Sequence, residues 1–257
     1  MPLISENYPQ LPLWAMTILL FLALIVAREI GARLCTLHAD DTNAGSDGFA
    51  MTTVLGLLAL LIGFTFSIAL QRYDSRRALV VQEANAIGTT WLRTALLEPG
   101  DRGRVQAVLR SYTESRILFG DARNGDEELQ LQKKSLAIQT ELWEAMIVAT
   151  SSFKDTARAA LLLNATNESI DLAEERLANR QAHVPPRILW MLVIFAVLAA
   201  GLVGFERPRQ RRTSALVLGL FTLAAALVVD LDRPATGLTR VSQAPMLDLL
   251  QSMHPTL

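Results

Sequence analysis

The chain has 257 residues, 51% of them hydrophobic, and a formal net charge of −1. That is too apolar for an ordinary water-soluble domain of this length, and it lacks the basic field with which proteins hold nucleic acid, so no nucleic-acid partner is expected. The single cysteine, Cys35, excludes an intrachain disulfide and a zinc cluster of several thiolates, and His38, His183 and His254 lie far apart in sequence and could hold a metal only if folding gathered them; no cofactor or metal is expected.

The apolar residues gather in four runs: Leu11 to Ala27, Phe49 to Leu70, Ile188 to Phe205 and Thr213 to Val229. None contains Asp, Glu, Lys, Arg or His. About 20 such residues in a helix cross the hydrocarbon core of a bilayer. Trp14 and Trp190 stand near run ends, where indole suits the interface. Four runs of this kind in one short chain predict an all-α membrane protein with four transmembrane helices. Its parts are residues 1–70 (the first two helices), 71–187 (an extramembrane helical bundle), 188–230 (the last two helices) and 231–257 (a C-terminal tail). The lipid bilayer is the first expected partner.

Orientation follows from the basic residues of the short connections. Arg207, Arg209, Arg211 and Arg212 join runs three and four, Arg28 and Arg33 follow run one, and the two tails hold only Arg233 and Arg240. Six against two puts both short connections in the cytoplasm and the insert on the non-cytoplasmic side of a bacterial inner membrane. Arg72, Arg76 and Arg77, directly after run two, count the other way but belong to a long loop.

The insert carries sixteen Lys or Arg and sixteen Asp or Glu. Val80, Ala84, Ile87, Trp91 and Ala95 form one stripe on a helix, and no Gly or Pro interrupts Phe64 to Ala86, so run two is expected to continue unbroken into the insert. Pro99-Gly100 is read as the end of that helix. Further helices fit Arg102 to Phe119, Asp126 to about Thr150, with acidic residues at its start, and Asp155 to about Gln181, where Leu163, Ile170 and Leu177 are a heptad apart. Pro185-Pro186 closes the last one. The insert thus reads as an antiparallel bundle.

No GxSxG, GxxxxGK[ST], HExxH or CxxC pattern occurs, so the chain is not expected to be an enzyme. Glu141 and Glu144 share a helix face, a pattern better explained by solvation than by a bound cation. Run two holds the features that suit transport. Gly56 and Gly63 lie on nearly one face and would let another helix approach. Leu60, Phe64 and Ile68 form one apolar stripe, and Ile62, Phe66 and Leu70 form another; either suits a constriction that gates by dewetting, and both also suit packing or lipid contact. The absence of a mid-membrane charge speaks against ion-coupled transport and leaves a channel open. Arg72, Arg76 and Arg77 follow run two and Asp230, Asp232 and Arg233 follow run four, on one side of the membrane. They can pair, or in an oligomer the arginines can gather anions.

Two stretches carry a family resemblance. GFTFSIALQRYDSRRALVVQEANAIGTTWLRTALL, Gly63 to Leu97, resembles the hallmark of the bestrophin-like domain family of bacterial membrane proteins, and VVDLDRPATGLTRVSQAPMLDLL, Val228 to Leu250, resembles its closing motif. The order of elements agrees along nearly the whole chain. The resemblance implies kinship with bestrophins, oligomeric anion channels whose second membrane helix lines the pore through an apolar neck. By position it implies that one of the two stripes on run two is the neck. The expected function is a homo-oligomeric, passive, anion-conducting channel that handles inorganic ions. The alternative is a non-conducting scaffold or sensor whose insert binds a partner or a signal.

Overall fold

The computed structural model describes residues 11–37 and 49–253, and His38 and His254 lie outside them. Among the described residues the secondary structure is helical throughout, with no strand: α1 Leu13–Leu37, α2 Phe49–Arg93, α3 Pro99–Asp121, α4 Gly125–Thr150, α5 Ala157–Gln181, α6 Pro186–Glu206, α7 Arg211–Asp232 and α8 Ala244–Ser252. Four helices are long and apolar enough to cross a membrane: α1, α2, α6 and α7. The fold is that of an all-α membrane protein.

The chain divides into two compact units, one of residues 1–71 and 183–233 and one of residues 72–182 and 234–257. In the first, α1 and α6 make the main helix pair. Small residues explain how close they come. A Cβ on Gly31 would sit 1.9 Å from the Gly201 carbonyl oxygen, and one on Gly204 would sit 1.9 Å from the Arg28 carbonyl oxygen. Without side chains at these points the two backbones touch, which is how helices associate in lipid, where no hydrophobic drive separates them from solvent. Around this seam Leu24, Leu58, Ile62, Leu192, Ala196, Ala200 and Leu218 form one apolar core.

Run one is longer than its composition announces, because α1 continues through Arg28 to Leu37. Arg28 is buried, and its guanidinium is met by groups the sequence does not place nearby: it donates to the Arg207 and Pro208 carbonyl oxygens at 3.2 and 2.7 Å and to Glu29 at 2.5 Å. Glu29 also takes Arg211 at 3.0 Å. The end of α1 and the α6–α7 turn therefore lie at one end of this unit. The Glu206 carboxylate accepts from the Met51 backbone N–H at 3.1 Å, placing negative charge at the start of α2, where the helix dipole favours it.

The second unit is a helical bundle around Val105, Leu109, Tyr112, Leu142, Met146 and Leu162, with Val80, Ala84 and Ile87 of α2 packed into it. The stripe expected on α2 holds as far as the half-buried Trp91; Ala95 is exposed, because α2 ends at Arg93 and a 3-10 turn, Thr94–Leu96, follows. Pro99 does not end a helix but opens α3 at its first position, where its missing N–H has no partner to lose. Asn124 caps α4 by accepting from the Glu127 N–H at 2.8 Å, and Thr156 caps α5 by accepting from Ala159 at 3.3 Å. Leu163, Ile170 and Leu177 are only half buried. The face of α5 that turns inward carries Leu162, Ala165, Ser169, Ala173 and Arg176. Helix α8 seats Met246 in the same core.

Candidate functional site on the second helix

α2 is one unbroken helix of 45 residues, and between Phe49 and Leu70 its two sides differ sharply. Leu58, Ile62, Thr65 and Ala69 are buried, and the Thr65 hydroxyl donates to the Leu61 and Ile62 carbonyl oxygens. The opposite side carries Thr53, Gly56, Leu60, Gly63, Phe64, Ser67 and Leu70, all exposed. Leu60 and Phe64 expose 53% and 60% of their surface, against 9% for Ile62. A Cβ on Gly56 or Gly63 would meet nothing within 4 Å, so within a single chain neither glycine touches another helix.

The two stripes of run two are thereby told apart. Leu60 and Phe64 stand together on the open side, with Ile68 half buried at its flank. Ile62 packs inside its own chain, Phe66 is half buried, and Leu70 is exposed. Arg76 is buried and donates to the Asn179 and Ala182 carbonyl oxygens at 3.4 and 2.9 Å, Arg72 is half buried, and Arg77 is exposed. Asp230 and Asp232 are buried, and one Asp232 carboxylate oxygen accepts from the Val184 N–H at 2.8 Å. Arg233 donates to the Leu11 carbonyl oxygen at 2.9 Å and reaches the Met16 sulfur at 2.8 Å, holding the end of α7 against the start of α1.

Sequence reasoning missed a second cluster, in the other unit. Glu83 of α2 is fully buried and ion-paired to Arg116 of α3 and, at 2.5 Å, to Arg176 of α5. The buried Phe119 ring lies beside three guanidiniums, those of Arg116, Arg180 and Arg176, at 4.7, 5.2 and 6.0 Å from its centroid. Burial pushes the Glu83 carboxyl up, but the charges and hydrogen bonds of Arg116 and Arg176 outweigh it and hold the group below the usual Glu value. Burial pushes Arg176 down, and Glu83 opposes that shift while Arg116 and Arg180 add to it. The three partners are spread over residues 83–176, and no local spacing joins them.

The Bestrophin-like domain family matches residues 15–246 of the chain. The fold is similar to that of a bacterial bestrophin homologue from Klebsiella pneumoniae, with 18% identity, coverage of 93% of this chain and 99% of that one, and a TM-score of 0.68. It is equally similar to a tryptophan-substituted form of that homologue, with 16% identity, coverage of 94% and 95%, and a TM-score of 0.69. No curated protein matches the sequence. With the match spanning all eight helices from within α1 to within α8, the chain belongs to the bestrophin-like family of membrane proteins.

Proposed function

We propose that this protein is a homo-oligomeric, passive ion channel whose conduit is lined by the open side of α2. The observation that carries the reading is the bare face running from Gly56 through Leu60, Gly63 and Phe64 to Leu70, set against a fully packed opposite face. A helix packed on one side only needs either lipid or further copies of the chain on the other. The glycines and Ser67 on this face suit close approach and water rather than lipid alone. Membership in the bestrophin-like family supports the same reading. Leu60 and Phe64 then form the narrow apolar ring, gating by dewetting, and Ile62 is structural. Anion preference rests on the arginines that follow Leu70 on the same helix, of which Arg77 is exposed.

Protein reconstituted in planar bilayers is expected to conduct, with a reversal potential set by the anion gradient. Phe64→Ala is expected to raise the open probability. A well-folded oligomer without conductance overturns the proposal. Charge counting places the insert outside the cytoplasm of a bacterial inner membrane, and maleimide labelling of a cysteine placed at the exposed Ser151 tests it: label reaching intact cells supports that side.

A further inference from the structure

We propose that a cleft in the bundle unit binds a small phosphate-bearing anion through Arg176, Arg180 and Arg240. The inference does not depend on whether the protein conducts.

The cleft is lined by these three arginines together with Arg76, Gly120 and Gln243, and its one acidic lining residue is Asp121. The local charges leave positive charge over. Glu83 is divided between Arg116 and Arg176, and Glu128 pairs with Arg180 at 2.9 Å. Arg240 is exposed and forms no ion pair among the described residues. Arg116, Arg176, Arg180 and Arg240 thus outnumber the carboxylates that pair with them or line the cleft, Glu83, Glu128 and Asp121. A buried guanidinium pressed by two others is stabilised by any oxyanion that reaches it.

The side chains at the cleft are also held by one another. A Cβ on Gly120 would fall 2.3 Å from the Gln243 side chain and 2.6 Å from Arg176 Nη2, so the bare glycine is what lets these two side chains pack together at the wall of the cleft. Gln243 Oε1 accepts from that same Arg176 nitrogen at 2.5 Å, and Arg180 is fixed by donating to the Gly120 and Ala122 carbonyl oxygens at 3.3 and 3.0 Å. The Arg176 and Arg180 guanidiniums are therefore set in place before any ligand arrives, and the exposed Arg240 closes on it. Several planar guanidinium forks lining one cleft match the three oxygens of a phosphate monoester better than the two of a carboxylate. Arg240 belongs to the segment leading into α8, so an anion bridging it to Arg176 and Arg180 would fasten that segment to the bundle.

A free phosphate compound and an anionic lipid headgroup offer the same chemistry, and the test separates them. The melting temperature of the full chain in neutral detergent is followed against inorganic phosphate, with chloride replaced to hold ionic strength constant. A saturable rise is expected. Arg240→Gln should weaken the apparent affinity about tenfold or more, Arg240→Lys less, and Arg104→Gln, an exposed arginine outside the cleft, not at all. In parallel, nanodiscs of phosphatidylglycerol are compared with nanodiscs of phosphatidylcholine. An Arg240-dependent rise in the anionic discs without soluble phosphate assigns the headgroup as the source, and an Arg240-dependent rise with inorganic phosphate assigns a free anion. No saturable rise from either source, or a rise unchanged by Arg240→Gln, overturns the proposal.

Discussion

Neutralising Glu83 strikes the most deeply buried ion-pair cluster described in the bundle unit. Glu83→Gln keeps the volume and one acceptor but removes the charge that two buried guanidiniums share. Breaking a buried ion pair from one side costs about 3–5 kcal/mol, because the remaining charge stays desolvated. Here both remaining cations also flank the Phe119 ring alongside Arg180. At about 2–4 °C per kcal/mol for a chain of this size, the melting temperature should fall by about 6–20 °C. Fluorescence of Trp91 and Trp143, both in this unit, follows its unfolding in detergent. The pH dependence gives a second readout. Folding lowers the pKa of Glu83 from 4.5, so its contribution is fully present above that value and is lost as the pH falls through the folded value. Glu83→Gln should lack this acid limb. Replacing all three partners with apolar residues should recover much of the loss, since the penalty lies in the orphaned charge and not in the missing pair. A Glu83→Gln protein that melts within about 2 °C of the parent would refute the reasoning.

Gly204→Ala drives a methyl into the Arg28 carbonyl oxygen, so α1 and α6 must part; a loss of about 1–3 kcal/mol is expected, read as a lower melting temperature in detergent. Ile62→Ala, in the core of its own chain, should cost about 2–5 kcal/mol. Leu60→Ala, on the open side, should cost about 0.5 kcal/mol or less and act instead on conductance; equal stability losses in the two variants would count against the division of α2 into a packed and an open face. The Tyr112 phenol is pushed up by burial from 10.0 to about 12, so its contribution is fully present below 10 and is lost as the pH rises through about 12. Tyr112→Phe should flatten that alkaline limb in thermal melts taken between these values.

The four spans were legible because their signal is compositional: an uncharged run long enough to cross a bilayer announces itself whatever surrounds it. Helix ends were harder to read. Pro99 can stop a helix or start one, because its missing N–H breaks a helix interior yet costs nothing at the first position, and α1 continues past Arg28 with the carbonyl groups of residues 207 and 208 receiving the guanidinium. The inward face of α5 was only partly marked by its aliphatic residues: Leu163 packs against the core, but Ala165, Ser169, Ala173 and Arg176 are what fits against close neighbours. α8 escaped notice because nine residues make too short a period to stand out. On α2 both stripes were visible, but choosing between them required knowing which side the partner helices occupy. The Glu83 cluster had no sequence signature, since its three members meet only once the bundle has closed.

The seam formed by Gly31, Gly201 and Gly204 has one more consequence. Where two helices meet through their backbones, at Gly31 and Gly204, no side-chain rotamer is fixed, so little rotamer freedom is lost at those points when the contact forms. The grip on each side also comes from peptide groups, which every residue shares. The outward residues of α1 and α6, such as Trp14, Leu19, Trp190 and Leu198, are therefore free to vary with the thickness and composition of the host bilayer while the joint between the helices stays the same. Divergence in this chain's relatives should accordingly fall on the outward residues and spare Gly31 and Gly204, where a Cβ would strike the facing backbone.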